Sequence, residues 1–521
     1  MGRFLLGVDL GTSNVKAVLF DTQGRVVSSA TRELTIISNS PSEAEQDMEE
    51  IWRETARAIS QCISTSGKNP ADIAALGVTG QGTGCWLLDA HFQPLGRAII
   101  WIDGRAAEMI DEWKADGRHG QVFNMTSNCL FTGSPIAILA WLKKYQPEVL
   151  EKAKYLVFAK DWIKFKLTGA ITTDSSDLFM FPQPIEGETL PLLEMFDLSG
   201  LEKIIPPLES AFAVIGKVGK EAAAVTGLEV GTPVVNGVVD VASCAIALGI
   251  LEFDQVYSIL GTTCFNAFLS KKSSRLFEPP GVGITVSYPL KDAYLRAMGT
   301  MAGTLSLDWF IARFLTDQKE SYSEQSSLFS FLEDEVQKIP PGSEGVIFLP
   351  YISPGGERAP FINPHAQGVF FGLRYNHTRF HLLRAVYEGV IFSVMDCFQA
   401  FSLSFEEMKL AGGGSKSPFW CQLIADALAT KVVVPKTQEL GALGVALIAG
   451  VGVGLFSSLP EAHQATFEVN RVFYPDLVNH QFYQDKFEVY RELRVKVEDI
   501  WSVNDQPIGK IGSYSGKDFI K

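Results

Sequence analysis

The sequence contains no C-x-x-C pair, no G-x-x-x-x-G-K-[ST] and no H-E-x-x-H. With seven cysteines scattered at positions 62, 85, 129, 244, 264, 397 and 421, the first absence argues against a zinc site or a disulfide framework. It points to reduced thiols in a cytoplasmic protein. The second absence excludes a P-loop enzyme. Gly80-Gln81-Gly82-Thr83-Gly84-Cys85 approaches a dinucleotide fingerprint and fails it, because the last position is Cys instead of Gly. Basic residues are in deficit: 45 Lys and Arg stand against 59 Asp and Glu, and the net charge of −14 argues against a nucleic-acid partner. A phosphorylated small molecule held by backbone amides and a metal ion needs no such surplus. Long apolar runs are also missing. The longest stretch, Gly441 to Phe456, is Gly-rich and shorter than the ~18 residues of a membrane span. No targeting or myristoylation segment is read at the N-terminus, so a soluble protein is expected.

The composition is that of a folded chain. The 521 residues predict two to four domains, and 46% hydrophobic with 20% charged residues are globular values. Strands and helices alternate, which predicts an α/β protein. Phe4–Asp9 and Val15–Phe20 read as strands joined by the turn Leu10-Gly11-Thr12-Ser13-Asn14, and Arg25–Leu34 as a third strand. Apolar residues at helical spacing predict a helix from Glu45 to Ile63. Ile73–Val78, Ala98–Ile102 and Val234–Val239 read as buried strands, the last running into Asp240 and a small-residue helix, Val241–Leu248. The chain also repeats itself. Leu10-Gly11-Thr12-Ser13-Asn14-Val15-Lys16-Ala17-Val18-Leu19 aligns without gaps on Leu260-Gly261-Thr262-Thr263-Cys264-Phe265-Asn266-Ala267-Phe268-Leu269. The spacing, about half the chain, predicts two related domains, 1–250 and 251–521. Residues 505–521 read as a loose tail.

A Gly-Thr turn between strands suits a phosphate because glycine admits the anion close to the backbone, successive N–H groups face it and the hydroxyl adds a donor. An ordinary hairpin is the competing reading of one copy; a duplicated copy favours the phosphate. Asp9, just before the first turn, stands where a carboxylate could hold a hydrated magnesium ion, or merely cap the turn. Gly412-Gly413-Gly414-Ser415 precedes a helix predicted over Pro418–Leu428 and would let a flat group such as a base or ribose pass closely. Leu440-Gly441-Ala442-Leu443-Gly444-Val445-Ala446 reads as close helix packing. Asp240, at the carboxyl end of an apolar strand, is a candidate general base for phosphoryl transfer, with a helix N-cap as the bland alternative. Gln81 and Asp103 could bind polyol hydroxyls, although Asp103 also suits a cap. His377 and His381, four apart, have no supporting ligand for a metal.

Taken in order along the chain, these motifs resemble the FGGY carbohydrate kinases of the actin/hexokinase/heat-shock ATPase superfamily. The likeness runs from Leu5 to about Gln484. It rests on Asp9–Phe20, Glu45-Gln46-Asp47 through Trp52, Gln81–Leu88, Trp101–Arg105, Lys160–Ile163, Leu260–Phe265, Gly345–Phe361 and Ala411–Ser415. The resemblance implies two RNase-H-like domains with ATP and Mg²⁺ in a cleft between them. It implies Asp240 as catalytic base and Asp9 as the carboxylate that organises the metal through water. Gly11, Thr12, Ser13, Lys16, Gly261, Thr262 and Thr263 would serve the phosphates, and Gly412, Gly413, Gly414 and Ser415 the adenosine. Gln81, Gly82, Thr83, Trp101 and Asp103 would meet the acceptor. Gly82-Thr83 replaces the Arg-Glu of glycerol kinases and the Met-His of D-xylulose kinases. Gln81-Gly82-x-Gly84 with Asp240-Val241 looks more like L-xylulose and erythritol kinases, so a pentulose or a short polyol is the expected partner. The reading leaves a homodimer open. Its rival is a nucleotide-driven binding or assembly protein on the same fold, which would not need the Gln81/Asp103 pocket.

Overall fold

The computed structural model describes residues 4–181, 191–271, 274–322 and 324–504; the tail expected over 505–521 lies outside them. In chain order, the first strands are β1 (Phe4–Leu10), β2 (Asn14–Asp21), β3 (Val26–Glu33), β4 (Ile73–Gly80), β5 (Val214–Lys217) and β6 (Pro233–Val235). The later ones are β7 (Val256–Leu260), β8 (Cys264–Lys271), β9 (Ile284–Ser287), β10 (Ala293–Thr300), β11 (Glu407–Ala411), β12 (Lys431–Pro435) and β13 (Val469–Phe473). The helices that matter are α1 (Met48–Ser66), α2 (Ala159–Thr168), α3 (Asp240–Ala247), α4 (Thr304–Phe314), α5 (Arg379–Ala400), α6 (Pro418–Leu428) and α7 (Leu440–Gly452).

The first compact unit comprises 1–253, 268–296 and 436–468. Its sheet is ordered β3-β2-β1-β4-β6-β5. The short Gly11-Thr12-Ser13 turn allows only an antiparallel return, so β2 pairs with β1 in that sense, Asp9 opposite Lys16. The parallel β1–β4 pair needs a crossover, and α1 supplies it. Asp47 caps α1 by accepting from Glu50 N–H, and Gly67 ends it at φ 63°. The helix therefore begins at Met48. The preceding Glu45–Gln46, expected to be helical, instead pair as a short strand with Ala98–Ile99. The expected strand Val234–Val239 stops at Val235. Gly237 takes φ 74° with its α-carbon against Val78 O, where a Cβ would lie 2.3 Å away, and the chain turns there into α3.

Late in the chain, α7 returns to the first sheet. A Cβ on Gly7 would lie 1.9 Å from Ala442 O, one on Gly77 2.4 Å from Val445 O, and one on Gly444 1.8 Å from Ser243 O. The small residues of β1, β4 and α7 thus let backbone touch backbone, and Ser243 Oγ donates to Gly441 O at 2.7 Å across the α3–α7 contact.

The second unit comprises 254–267, 297–435 and the chain from 469. The second sheet is ordered β9-β10-β8-β7-β11-β12-β13, with β7, β11 and β12 parallel. The run β3-β2-β1-β4 thus recurs as β10-β8-β7-β11, and β9 extends the edge. The sequence repeat has a structural counterpart: each copy of the Gly-Thr turn joins the first two strands of its sheet. Helix α6 spans the residues expected of it, and Ser417 caps it by accepting from Trp420 N–H.

Candidate active site

In the first unit the ends of β1 and β6 bring two carboxylates into each other's field. Asp240 begins α3, and its Oδ1 accepts from the neighbouring Val241 N–H at 2.7 Å. The loop before it is held from two sides: Thr79 Oγ1 donates to Val238 O at 2.6 Å, and Val239 N–H donates to Ser176 Oγ at 2.8 Å. Burial, and then the charge of Asp9, push the Asp240 carboxyl up to about 7. Burial likewise raises Asp9 to about 6, opposed by Lys16 and reinforced by Glu439. Lys16 Nζ itself pairs with Glu439 Oε2 at 2.8 Å. Space beside Asp9 depends on α7, since a Cβ on Gly441 would stand 2.2 Å from Asp9 Oδ2.

The first turn meets the expected acceptor residues through hydrogen bonds. Thr12 Oγ1 donates to Gln81 Oε1 at 3.0 Å and accepts from Trp101 Nε1 at 2.9 Å. Gly11 and Thr12 are half-buried and Ser13 is exposed. Gly82 lies against the Asp240 loop, where a Cβ would be 2.6 Å from Val239 Cγ2. Thr83 follows at φ 63°, a strained conformation for a β-branched residue. Asp103 is fully buried and its oxygens are committed within the protein. Oδ2 accepts from Ala44 N–H at 2.7 Å and Arg105 Nη2 at 3.0 Å; Oδ1 accepts from Arg105 N–H at 2.9 Å and Nε at 2.8 Å.

In the second unit Gly261, Thr262 and Thr263 turn between β7 and β8, both threonines exposed. Thr304 N–H donates to Gly261 O at 2.7 Å, so the start of α4 braces the turn. The triple-glycine loop packs on the same strand end: a Cβ on Gly412 would be 2.5 Å from Leu260 O, and one on Gly414 2.5 Å from Leu260 Cδ2. Gly413 has nothing within 4 Å and is open for approach. Ser415 is buried, and its Oγ donates to Gly412 O at 2.8 Å, closing the loop on itself.

Four contributors escaped sequence reasoning. Gln46, Ser176, Glu439 and Gly441 each act through a partner distant in sequence. Two of them carried a signal: Gln46 as part of the Glu45-Gln46-Asp47 block read as a helix start, and Gly441 as part of the small-residue stripe read as close helix packing.

Two sheets of matching strand order, each with a Gly-Thr turn between its first two strands, define an actin-like ATPase fold. Within that class the chain belongs to the FGGY family of carbohydrate kinases: the model of the family's N-terminal domain matches residues 4–247 and that of its C-terminal domain 256–453. The chain is 32% identical over 497 residues to a probable L-xylulose kinase from Pasteurella multocida (strain Pm70), covering 94% of this chain and 98% of that one. It is 29% identical over 509 residues to erythritol kinase from Brucella abortus (strain 2308), covering 96% and 97% respectively. A ligand-bound xylulose kinase from Lactobacillus acidophilus superposes with a TM-score of 0.88 at 25% identity, covering 96% and 99% of the two chains. The protein is thus a phosphotransferase with a sugar or polyol acceptor, and its family implies the use of ATP. No helix among the described residues is long and apolar enough to cross a membrane.

Proposed function

We propose that the protein transfers the γ-phosphate of ATP to a terminal hydroxyl of a pentulose of the xylulose type or a short polyol of the erythritol type. The carrying observation is the Asp240 carboxyl, raised to about 7 at the start of α3 beside Asp9 and held through its own end of the helix backbone, which suits it to accept a hydroxyl proton near neutrality. As the proton leaves, the acceptor oxygen gains the charge needed to attack phosphorus. Gly11 to Ser13 and Gly261 to Thr263 offer backbone N–H groups and hydroxyls for the phosphates, the exposed Ser13, Thr262 and Thr263 being free to reach outward. Gly413 is the approach to adenosine. Asp9 fits a hydrated Mg²⁺: it is an ionisable oxygen pair in the hollow left by the missing Cβ of Gly441. Bound there, the ion would neutralise charge on the phosphates.

In this reading the acceptor residues, first turn and base lie in 1–250, and the second turn and adenosine loop in 251–521. Gln81, Gly82, Thr83 and Trp101 line the acceptor side, and Asp103 shapes it by fixing Arg105 and Ala44. The resemblance to L-xylulose and erythritol kinases in name favours those acceptors over glycerol. Seven free thiols suit a cytoplasmic setting. Sedimentation distinguishes a homodimer from the 57.1 kDa monomer. The deciding experiment is ADP release with erythritol, L-xylulose, D-xylulose, L-ribulose and glycerol in turn. Turnover with one of the first four, lowered at least about 10²-fold in Asp240→Asn, supports the proposal; release no faster than with water alone for those four rejects it.

A further inference from the structure

Gln46 is fully buried between the first phosphate turn and the acceptor segment, and no expected site residue accounts for it. Its Nε2 donates to Thr12 O at 2.8 Å, and its Oε1 accepts from Gln81 Nε2 at 2.8 Å. Gln81 Oε1 in turn accepts from Thr12 Oγ1 at 3.0 Å, which closes a ring through Thr12, Gln46 and Gln81. Trp101 Nε1 joins it at Thr12 Oγ1, 2.9 Å away. The direction of every bond in the ring is fixed. The carbonyl of Thr12 can only accept, so the amide nitrogen of Gln46 must face it and the amide oxygen must face Gln81. Indole N–H can only donate, so the hydroxyl proton of Thr12 is committed to Gln81. Reversing one member would set donor against donor or acceptor against acceptor elsewhere.

A buried polar ring of this kind holds its members in one arrangement, because a half-satisfied member costs the desolvation of an amide. Two of its members, Gln81 and Trp101, belong to the acceptor side and one, Thr12, to the phosphate turn. Gln46 belongs to neither and touches both. Its backbone is anchored independently: Glu45–Gln46 pair with Ala98–Ile99, and Asp47 caps α1. We infer that Gln46 is a positioning residue that couples acceptor binding to the geometry of the first phosphate turn. An acceptor that draws on the spare lone pair or proton of the Gln81 amide tightens the Thr12 hydrogen bonds, and with them the turn that receives ATP. The inference rests on the proposed roles of Gln81 and the Gly11–Ser13 turn.

The test measures the affinity for a non-hydrolysable ATP analogue with and without saturating L-xylulose or erythritol, whichever the enzyme turns over, together with kcat and KM for ATP, in the wild-type chain, Gln46→Leu and Thr12→Val. Gln46→Leu removes both amide bonds. Thr12→Val keeps the carbonyl that holds Gln46 and removes only the hydroxyl, so it reports even if the first variant does not fold. Saturating acceptor is expected to tighten ATP at least about 5-fold in the wild type, and less than about 2-fold in each folded variant. A merely structural role would lower thermal stability and leave that ratio unchanged, which overturns the inference, as does a wild-type ratio of one. A wild-type enzyme that phosphorylates no acceptor would instead overturn the proposed function itself, so the two failures are distinguishable.

Discussion

Asp240 combines two properties that pull in opposite directions. Burial and Asp9 raise its carboxyl to about 7, so at neutral pH the folded protein holds a charge that the unfolded chain carries more easily. Sign follows directly. A carboxyl raised on folding adds stability while protonated and forfeits it as pH climbs through the folded value. Asp240→Asn should therefore melt higher than the wild type at pH 8, and the gain should shrink progressively from pH 7 towards pH 4. Differential scanning across that range checks it. The same variant should lose about 10²–10⁴-fold in kcat, the usual worth of a general base. The wild-type rate should fall on the acid side of about pH 7, and Asp9→Asn should move that limb to lower pH by removing the neighbouring charge. A limb that stays put in Asp9→Asn would show that burial alone sets it. Of the residues involved, Asp240, Asp9 and both Gly-Thr turns were legible in the sequence because each sits beside a strand end or turn. Asp103 was legible as a polar residue but not as one fully spent on Ala44 and Arg105, because that depends on a loop 59 residues away.

Helix α7 shows how packing overrides intrinsic preference. Replacing glycine by alanine inside a helix normally stabilises by about 1 kcal/mol. Gly120, exposed in the helix Arg118–Thr126 with nothing within 4 Å of a built Cβ, should behave that way. Gly444 should not. Its Cβ would lie 1.8 Å from the backbone oxygen of Ser243, and neither helix can yield without losing contact, so Gly444→Ala should cost about 1–3 kcal/mol as an overpacking change. Urea titration of both variants gives the comparison, and equal behaviour would mean that the α3–α7 contact is softer than described. Gly441→Ala should reduce kcat beyond what its stability loss accounts for, because its Cβ would displace the Asp9 carboxylate, 2.2 Å away. The small-residue stripe was readable as close packing from its spacing alone. What it packs against was not, since β1 precedes α7 by more than 400 residues and periodicity reports only a helix's own faces. The helix start misplaced at Glu45 has a similar origin: apolar spacing marks the helix but not its first residue, Asp47 is the cap, and the pairing of Glu45–Gln46 with Ala98–Ile99 is non-local.

The path of the chain through the first unit has a consequence for folding. Residues 1–253 contain β1 to β6 and almost all the acceptor side, yet the segment 436–468 is part of the same unit. Without α7, the face of β1 and β4 that carries Gly7 and Gly77 has no cover, and α3 loses the partner bonded through Ser243 and Gly441. The apolar residues that share this face, Leu5, Val18, Phe20 and Ala75, are buried in the intact chain, and a Cβ on Gly450 of α7 would lie 3.0 Å from Leu5 Cδ1. An uncovered sheet face of this kind does not retain fixed side-chain packing on its own. A fragment ending at Phe253 should therefore keep much of its far-ultraviolet circular dichroism, lose the near-ultraviolet signal of its buried Trp86 and Trp162, and bind a hydrophobic dye, the signature of a loosely packed state. Supplying residues 436–468 in trans should restore part of the near-ultraviolet signal. The full chain should refold slowly, because β1 cannot complete its packing until a segment more than 400 residues later has found it. A fragment 1–253 that showed sharp, cooperative melting and native near-ultraviolet spectra would mean that α7 covers a core already able to stand alone.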